Sequence, residues 1–127
     1  MISTLAKGVV FSVATLHVYI LALEMFMWDQ PRAMKAFGVR KTPENIEFQR
    51  KTYTMAKNQG LYNGFLAAGL YRGLYLGDTD TGTDYKFFFL SCVAVAGVYG
   101  AATVFPKILM VQTVPALTGI ALLYFSL

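Results

Sequence analysis

Two residues in this chain demand a chemical explanation before any other: His17 and Glu24, which interrupt an otherwise apolar run from Val9 to Trp28. They stand seven positions apart, and at 3.6 residues per turn that spacing returns both side chains to nearly one face of a helix, about 10 Å apart along its axis. An imidazole and a carboxyl aligned in this way are candidates for catalytic acid and base, because ionisable groups inside an apolar helix mark sites. Trp28 continues the stripe to its end, where an indole favours an interface. A carboxylate within a span costs a few kcal/mol, so Glu24 is expected to face the protein interior and either pair with a cation or remain protonated.

A second polar group supplies natural partners: Lys57, Asn58, Gln59, Tyr62 and Asn63, interleaved with Gly60 and Gly64. Gln59 and Asn63 share a helix face, and Asn58 and Tyr62 form the neighbouring row, an arc too broad for lipid and therefore expected to turn inward. Lys57 would neutralise Glu24, while the amides would orient a carbonyl, epoxide, phosphate or carboxyl group on a ligand. These five residues and Trp28 make up the expected ligand-binding set. The plainer reading is a hydrogen bond that locks two helices. His17 would then be a satisfied core histidine, bonded to one of Ser91, Thr103, Thr113 or Thr118.

The elements that must position these groups follow from composition. The chain has 127 residues, 56% hydrophobic and 14% charged, with a mean hydropathy of +0.49, against about 25% charged in a soluble domain. Disorder is excluded, and the length suits one compact membrane unit over residues 1–127 with no second globular module. Apolar runs predict spans at about 9–28, 53–76, 85–105 and 108–125, hence an all-α, four-helix transmembrane bundle with antiparallel up-down neighbours. A cleaved leader is the rival reading of the first run, but Glu24 and Trp28 sit where a small-residue cleavage site would lie. Pro106-Lys107 alone separates the last two spans, and Pro115 predicts a kink in the fourth.

Charge divides the loops. Arg32, Lys35, Arg40, Lys41, Arg50 and Lys51 fall in the first, and Asp78, Asp80 and Asp84 in the acidic stretch 77–84. By the positive-inside rule the first loop is cytoplasmic and both termini lie outside, in a multi-pass protein of the cell membrane. The net charge of +4 thus points to a membrane face and not to nucleic acid. Thr42-Pro43-Glu44 has the form of a helix start, so the second helix is expected to begin near Pro43 and extend into the cytoplasm. Gly60 with Gly64, the series Gly69, Gly73 and Gly77, and Gly97 with Ala101 repeat a spacing of four that permits close helix approach. Dense packing is its ordinary meaning, and a homo-oligomer seam the lesser one. One cysteine and one histidine exclude a disulfide framework and a zinc cluster, and Cys92 reads as structural. No phosphate-binding glycine loop, nucleophile elbow or paired-histidine motif is present.

The motifs from His17 to Trp28 and from Lys57 to Phe65 resemble those of the domain-of-unknown-function family thirteen-oh-four, small bacterial and fungal membrane proteins. That resemblance covers nearly the whole chain and implies a four-helix integral membrane protein, without an activity. In span number, outside termini, basic first loop and asparagine-bearing second helix the chain is also similar to the membrane-associated eicosanoid and glutathione metabolism family. That likeness implies glutathione binding and trimers, but Asn58 and Gln59 depart from the family's arginine, asparagine and glutamate intervals, so no cofactor is assigned. The expected function is to bind or transform a lipophilic small molecule between spans one and two, with membrane lipid as the surrounding partner. A proton-coupled transporter and a non-catalytic scaffold are the alternatives.

Overall fold

Ser3 starts the first helix. Its hydroxyl oxygen accepts from the Ala6 N–H at 3.1 Å, satisfying one of the donors a helix start leaves free. Helix α1 (Thr4–Phe26) therefore begins five residues before the expected Val9 and ends before Trp28. This computed structural model describes residues 2–126, and all regular structure among them is helical.

The basic first loop carries a short helix that the apolar pattern did not foretell, α2 (Pro31–Ala36). Proline opens it with φ already set for a helix. Gly38, at φ 71°, closes it: the N–H of Val39 reaches the carbonyl of Met34 at 2.8 Å and that of Gly38 reaches Lys35 at 3.2 Å, the paired bonds of a Schellman end. Helix α3 (Pro43–Lys51) then starts as the Thr42-Pro43-Glu44 pattern predicts, with the Thr42 side chain accepting from Asn45 N–H at 3.2 Å. Only Thr52 separates α3 from α4 (Tyr53–Tyr75). The N–H of Thr52 donates to Phe48 and its carbonyl accepts from Ala56, each at 3.0 Å, so the chain continues almost without interruption.

Two expectations need correction further along, and the last apolar run gains a detail. Gly77 does not extend the small-residue packing series: it stands at φ 68° with open space where a Cβ would be, and it ends α4. The acidic stretch 77–84 is mostly helix, because Thr79 caps α5 (Asp80–Thr103) by accepting from Gly82 N–H at 3.0 Å. The last apolar run opens with a π-helical turn, Leu109–Thr113, and continues directly as α6 (Val114–Phe125). Pro115 has no N–H to offer Val111, and widening the preceding turn accommodates that loss.

Among the described residues α1 and α5 are long and apolar enough to cross a membrane. Helix α4 carries Lys57, Asn58, Gln59, Asn63 and Arg72 and falls short, as does the shorter segment Leu109–Phe125.

The chain forms two compact units. One runs to Leu16 and resumes at Leu66; the other is His17–Phe65. The first has a core of Ile2, just before α1, Ala6, Val10, Val13 and Ala14 from α1, Leu70 from α4, Leu90, Val93 and Ala94 from α5, and Ala116 and Leu123 from α6. Gly73 allows backbone to approach backbone: a Cβ there would lie 3.1 Å from both the Gly82 carbonyl and the Lys86 nitrogen. Lys86 is fully buried and donates to the Gly77 carbonyl at 2.7 Å, placing a cation on the C-terminal end of α4 where the helix dipole favours one. Lys7 pairs with Asp78 at 3.1 Å. That hydrogen bond is the main reason the Asp78 carboxyl lies below its usual range, against an opposing desolvation.

A carboxyl whose folded-state pKa is depressed contributes stability that is complete above its ordinary value and is lost as the pH falls through the lowered one. The thermal midpoint of the purified protein, followed by circular dichroism, is therefore expected to fall with acidification below about pH 4. In Asp78→Asn the midpoint at pH 7 should be lower and this acid-dependent part smaller; an unchanged acid limb would refute the assignment.

Candidate functional site

The second unit surrounds its buried polar groups with Ile20, Leu23, Ala33, Met34 and Ala56. Trp28, in the turn after α1, organises the loop. Its indole N–H donates to the Thr52 hydroxyl at 3.0 Å, its carbonyl accepts from the Gln49 amide at 2.9 Å, and its ring meets Phe37 edge-on at 5.4 Å. Gln49 is itself buried, so the polar cost of enclosing it is met by that bond. Trp28 thus binds α2's exit and α3's end to α1's exit; the interactions of its indole are with the loop.

Glu24 is 2% exposed, and its carboxylate oxygen Oε1 accepts from the Asn63 side-chain amide at 2.5 Å. The same Nδ2 donates to the Gln59 carbonyl at 3.3 Å, which fixes the amide's orientation on its own helix. Among the described residues the expected hydrogen bond between Glu24 and the 57–63 segment is made by Asn63. A Cβ on Gly60 would lie 3.1 Å from the Glu24 Cβ and 3.2 Å from the Leu21 carbonyl oxygen, so absence of a side chain lets the two helices close on the carboxyl.

The remaining predicted residues go elsewhere. Lys57, Asn58, Gln59 and Tyr62 are all exposed, which corrects the expectation that the whole polar arc turns inward. Gly60 takes the close approach and Ala56, four positions before it on the same face, is buried too, so their bulky neighbours are rotated outward. Lys57 sits 4.8 Å over the Tyr53 ring, and among the described residues no cation pairs with Glu24. Asn58 donates to the Thr54 carbonyl at 3.0 Å on its own helix. Tyr62 lies beside Phe65, ring centroids 6.0 Å apart.

His17 is fully buried on the same stripe of α1 as Glu24. Ser91, Thr103, Thr113 and Thr118 each donate to a backbone carbonyl, of Phe87, Tyr99, Ala94 and Val114 respectively. Sequence reasoning missed Gln49 and Thr52, which anchor Trp28, and Lys86, which lies in the other unit. A lysine nine residues beyond a helix-ending glycine was the available signal for the last; for Gln49, one polar position in a charged helix, there was none. An apolar groove of about 450 Å³ beside Val95, Val98, Tyr99, Thr113 and Leu117 contains none of the predicted site residues. Among the described residues no three His, Cys, Asp or Glu side chains gather to hold a metal ion.

Comparison with known proteins matches residues 11–124 to the family described as "Protein of unknown function (DUF1304)". The chain is 28% identical over 100 residues to the uncharacterized protein YpaA of Lactococcus lactis subsp. lactis (strain IL1403), covering 79% of this chain and 80% of that protein. No solved structure matches.

The packing at Gly60 makes a prediction in which two effects oppose each other. Alanine for glycine in a helix gains up to about 1 kcal/mol of propensity, whereas overpacking costs about 1–3 kcal/mol. At Gly64 the new Cβ would meet only the flexible end of Leu21, at 2.6 Å, but at Gly60 it meets Met25 Cγ at 2.7 Å, Glu24 Cβ at 3.1 Å and the Leu21 carbonyl oxygen at 3.2 Å. Gly60→Ala is expected to lower the thermal midpoint, and Gly64→Ala to leave it less changed. Equal midpoints for the two variants would contradict the close approach.

Proposed function

The chain belongs to the family described as protein of unknown function (DUF1304), a membership that brings no activity with it, and from the site we propose an integral membrane protein that binds or transforms a lipophilic small molecule at the Glu24–Asn63 pair. The observation that carries this reading is a carboxyl, almost wholly enclosed, held by one amide and by no described cation. Asn63 is half-buried, beside the exposed rings of Tyr62 and Phe65, so a ligand approaching through lipid would meet aromatic surface first and the amide second. Its polar head would exchange hydrogen bonds with Asn63 and Glu24. Where the ligand is transformed, Glu24 and His17 are the acid and base.

Residue distribution supports the membrane half of the proposal. Phe11, Val18 and Tyr19 of α1 and Phe88, Val95, Val98 and Tyr99 of α5 are exposed, while the same helices bury His17, Glu24 and Lys86. In the most apolar 18-residue stretch of α5, only 22% is buried inside the protein. A core helix of a water-soluble protein has the opposite distribution. The proposed topology has four crossings, at α1, α4, α5 and the π turn with α6, with the basic first loop in the cytoplasm and both termini outside. A proton-coupled transporter would use the same buried His17 and Glu24 on one helix face.

Two experiments test this. Native mass spectrometry of the purified protein is expected to find a copurifying lipophilic molecule whose retention falls at least tenfold in Glu24→Gln and in Asn63→Ala but persists in Asn58→Ala. Retention in all three variants would leave the pair a helix lock, and pH-gradient-driven uptake lost in Glu24→Gln would favour transport. For topology, Lys41→Cys in a Cys92→Ser background is expected to react with an impermeant maleimide only when the cytoplasmic side is opened; reaction from outside would invert the assignment.

A further inference from the structure

The loop between α1 and α4 is more elaborately built than an orientation signal requires. A run of cations can set topology without any fixed conformation. Here Pro31 and Gly38 bound α2, Thr42 caps α3, and the Arg40 carbonyl accepts from both the Asn45 amide at 2.8 Å and the Thr42 N–H at 3.0 Å. Trp28 and Gln49 join the pieces. The buried side of α2 is Ala33 and Met34, which leaves Arg32 and Lys35 outward and on one helix face.

The charges on this platform are nearly all unanswered. Lys51 pairs with Glu47 at 3.1 Å, but Arg32, Lys35, Arg40, Lys41 and Arg50 are exposed, and among the described residues none pairs with a carboxylate. Phe48, 60% exposed, projects from α3 two positions before Arg50. Cations held on an ordered scaffold beside an exposed aromatic ring match the chemistry of an anionic bilayer surface, whose phosphates attract the charges and whose acyl boundary receives the ring.

We infer that the α2–α3 platform, through Arg32, Lys35, Arg40, Lys41, Arg50 and Phe48, is a binding surface for anionic phospholipid headgroups. This surface is distinct from the Glu24–Asn63 pair, so the two readings can fail separately. Guanidinium groups supply paired donors to phosphate oxygens, and the fixed helix ends hold their attachment points in register, so binding need not order the main chain.

The test titrates the purified full-length protein with dioctanoyl phosphatidylglycerol or dioctanoyl phosphatidylcholine and counts bound lipid by native mass spectrometry. Phosphatidylglycerol is expected to bind at least tenfold more tightly than phosphatidylcholine, and a rise in salt from about 50 to 500 mM should remove most of that preference. The combined variant Arg32→Gln, Lys35→Gln, Arg40→Gln, Lys41→Gln and Arg50→Gln should lose it at unchanged helix content. Arg32→Lys with Arg40→Lys and Arg50→Lys should keep most of it, and Glu24→Gln all of it. Equal binding of the two lipids by the natural sequence, an undiminished preference in the glutamine variant, or full displacement by equimolar inorganic phosphate would each overturn the inference.

Discussion

A carboxyl enclosed by apolar side chains has to be answered by a hydrogen-bond donor, and in this protein the answer is one amide. Asn63 donates to Glu24 from across the helix contact that Gly60 makes close. Around that bond the choices in the second unit are constrained. Gly60 must be small, α4 must present Asn63 toward α1, and the chain between the two helices must return to deliver it. Were the amide lost, the carboxyl would keep its burial and lose its donor, which is the costlier half of breaking a buried pair.

The return of the chain rests on turn chemistry and side-chain anchors. Proline opens α2 and α3, glycine closes α2 at positive φ, and Trp28 accepts from Gln49, donates to Thr52 and packs its ring against Phe37. Glycine serves three physical ends in this chain. Gly60 lets a helix approach a carboxyl, Gly73 lets backbone approach backbone, and Gly38 and Gly77 supply conformations that a Cβ would oppose. In the first unit, burying Lys86 on the Gly77 carbonyl joins the last of these ends to α5.

The proposed function draws on this arrangement. Helices α1 and α5 expose aromatic and branched apolar residues and enclose ionisable ones, a distribution suited to lipid outside and chemistry inside. With Lys57 on the Tyr53 ring, the enclosed carboxyl has an amide and not an ammonium for company, so its charge is not fixed by a neighbouring cation. That is the property a proton-handling or ligand-polarising group requires.

The sequence by itself determined the helical class, the helix start at Thr42-Pro43-Glu44, and the pairing of Glu24 with the segment that contains Asn63. These follow from short-range rules: apolar runs, proline and threonine geometry, and the depth that 1.5 Å per residue assigns to each position. It did not determine α2, the early start of α5 at Thr79, or the π turn before Pro115, because a few hydrogen bonds decide each of them, and composition barely registers these. Nor could it choose among Lys57, Asn58, Gln59 and Asn63 as the partner of Glu24. Neighbouring residues on a helix differ by about 100° in direction, and which direction meets α1 was decided only when Gly60, with no side chain, took the contact, carrying Asn63 to the carboxyl and turning the others out.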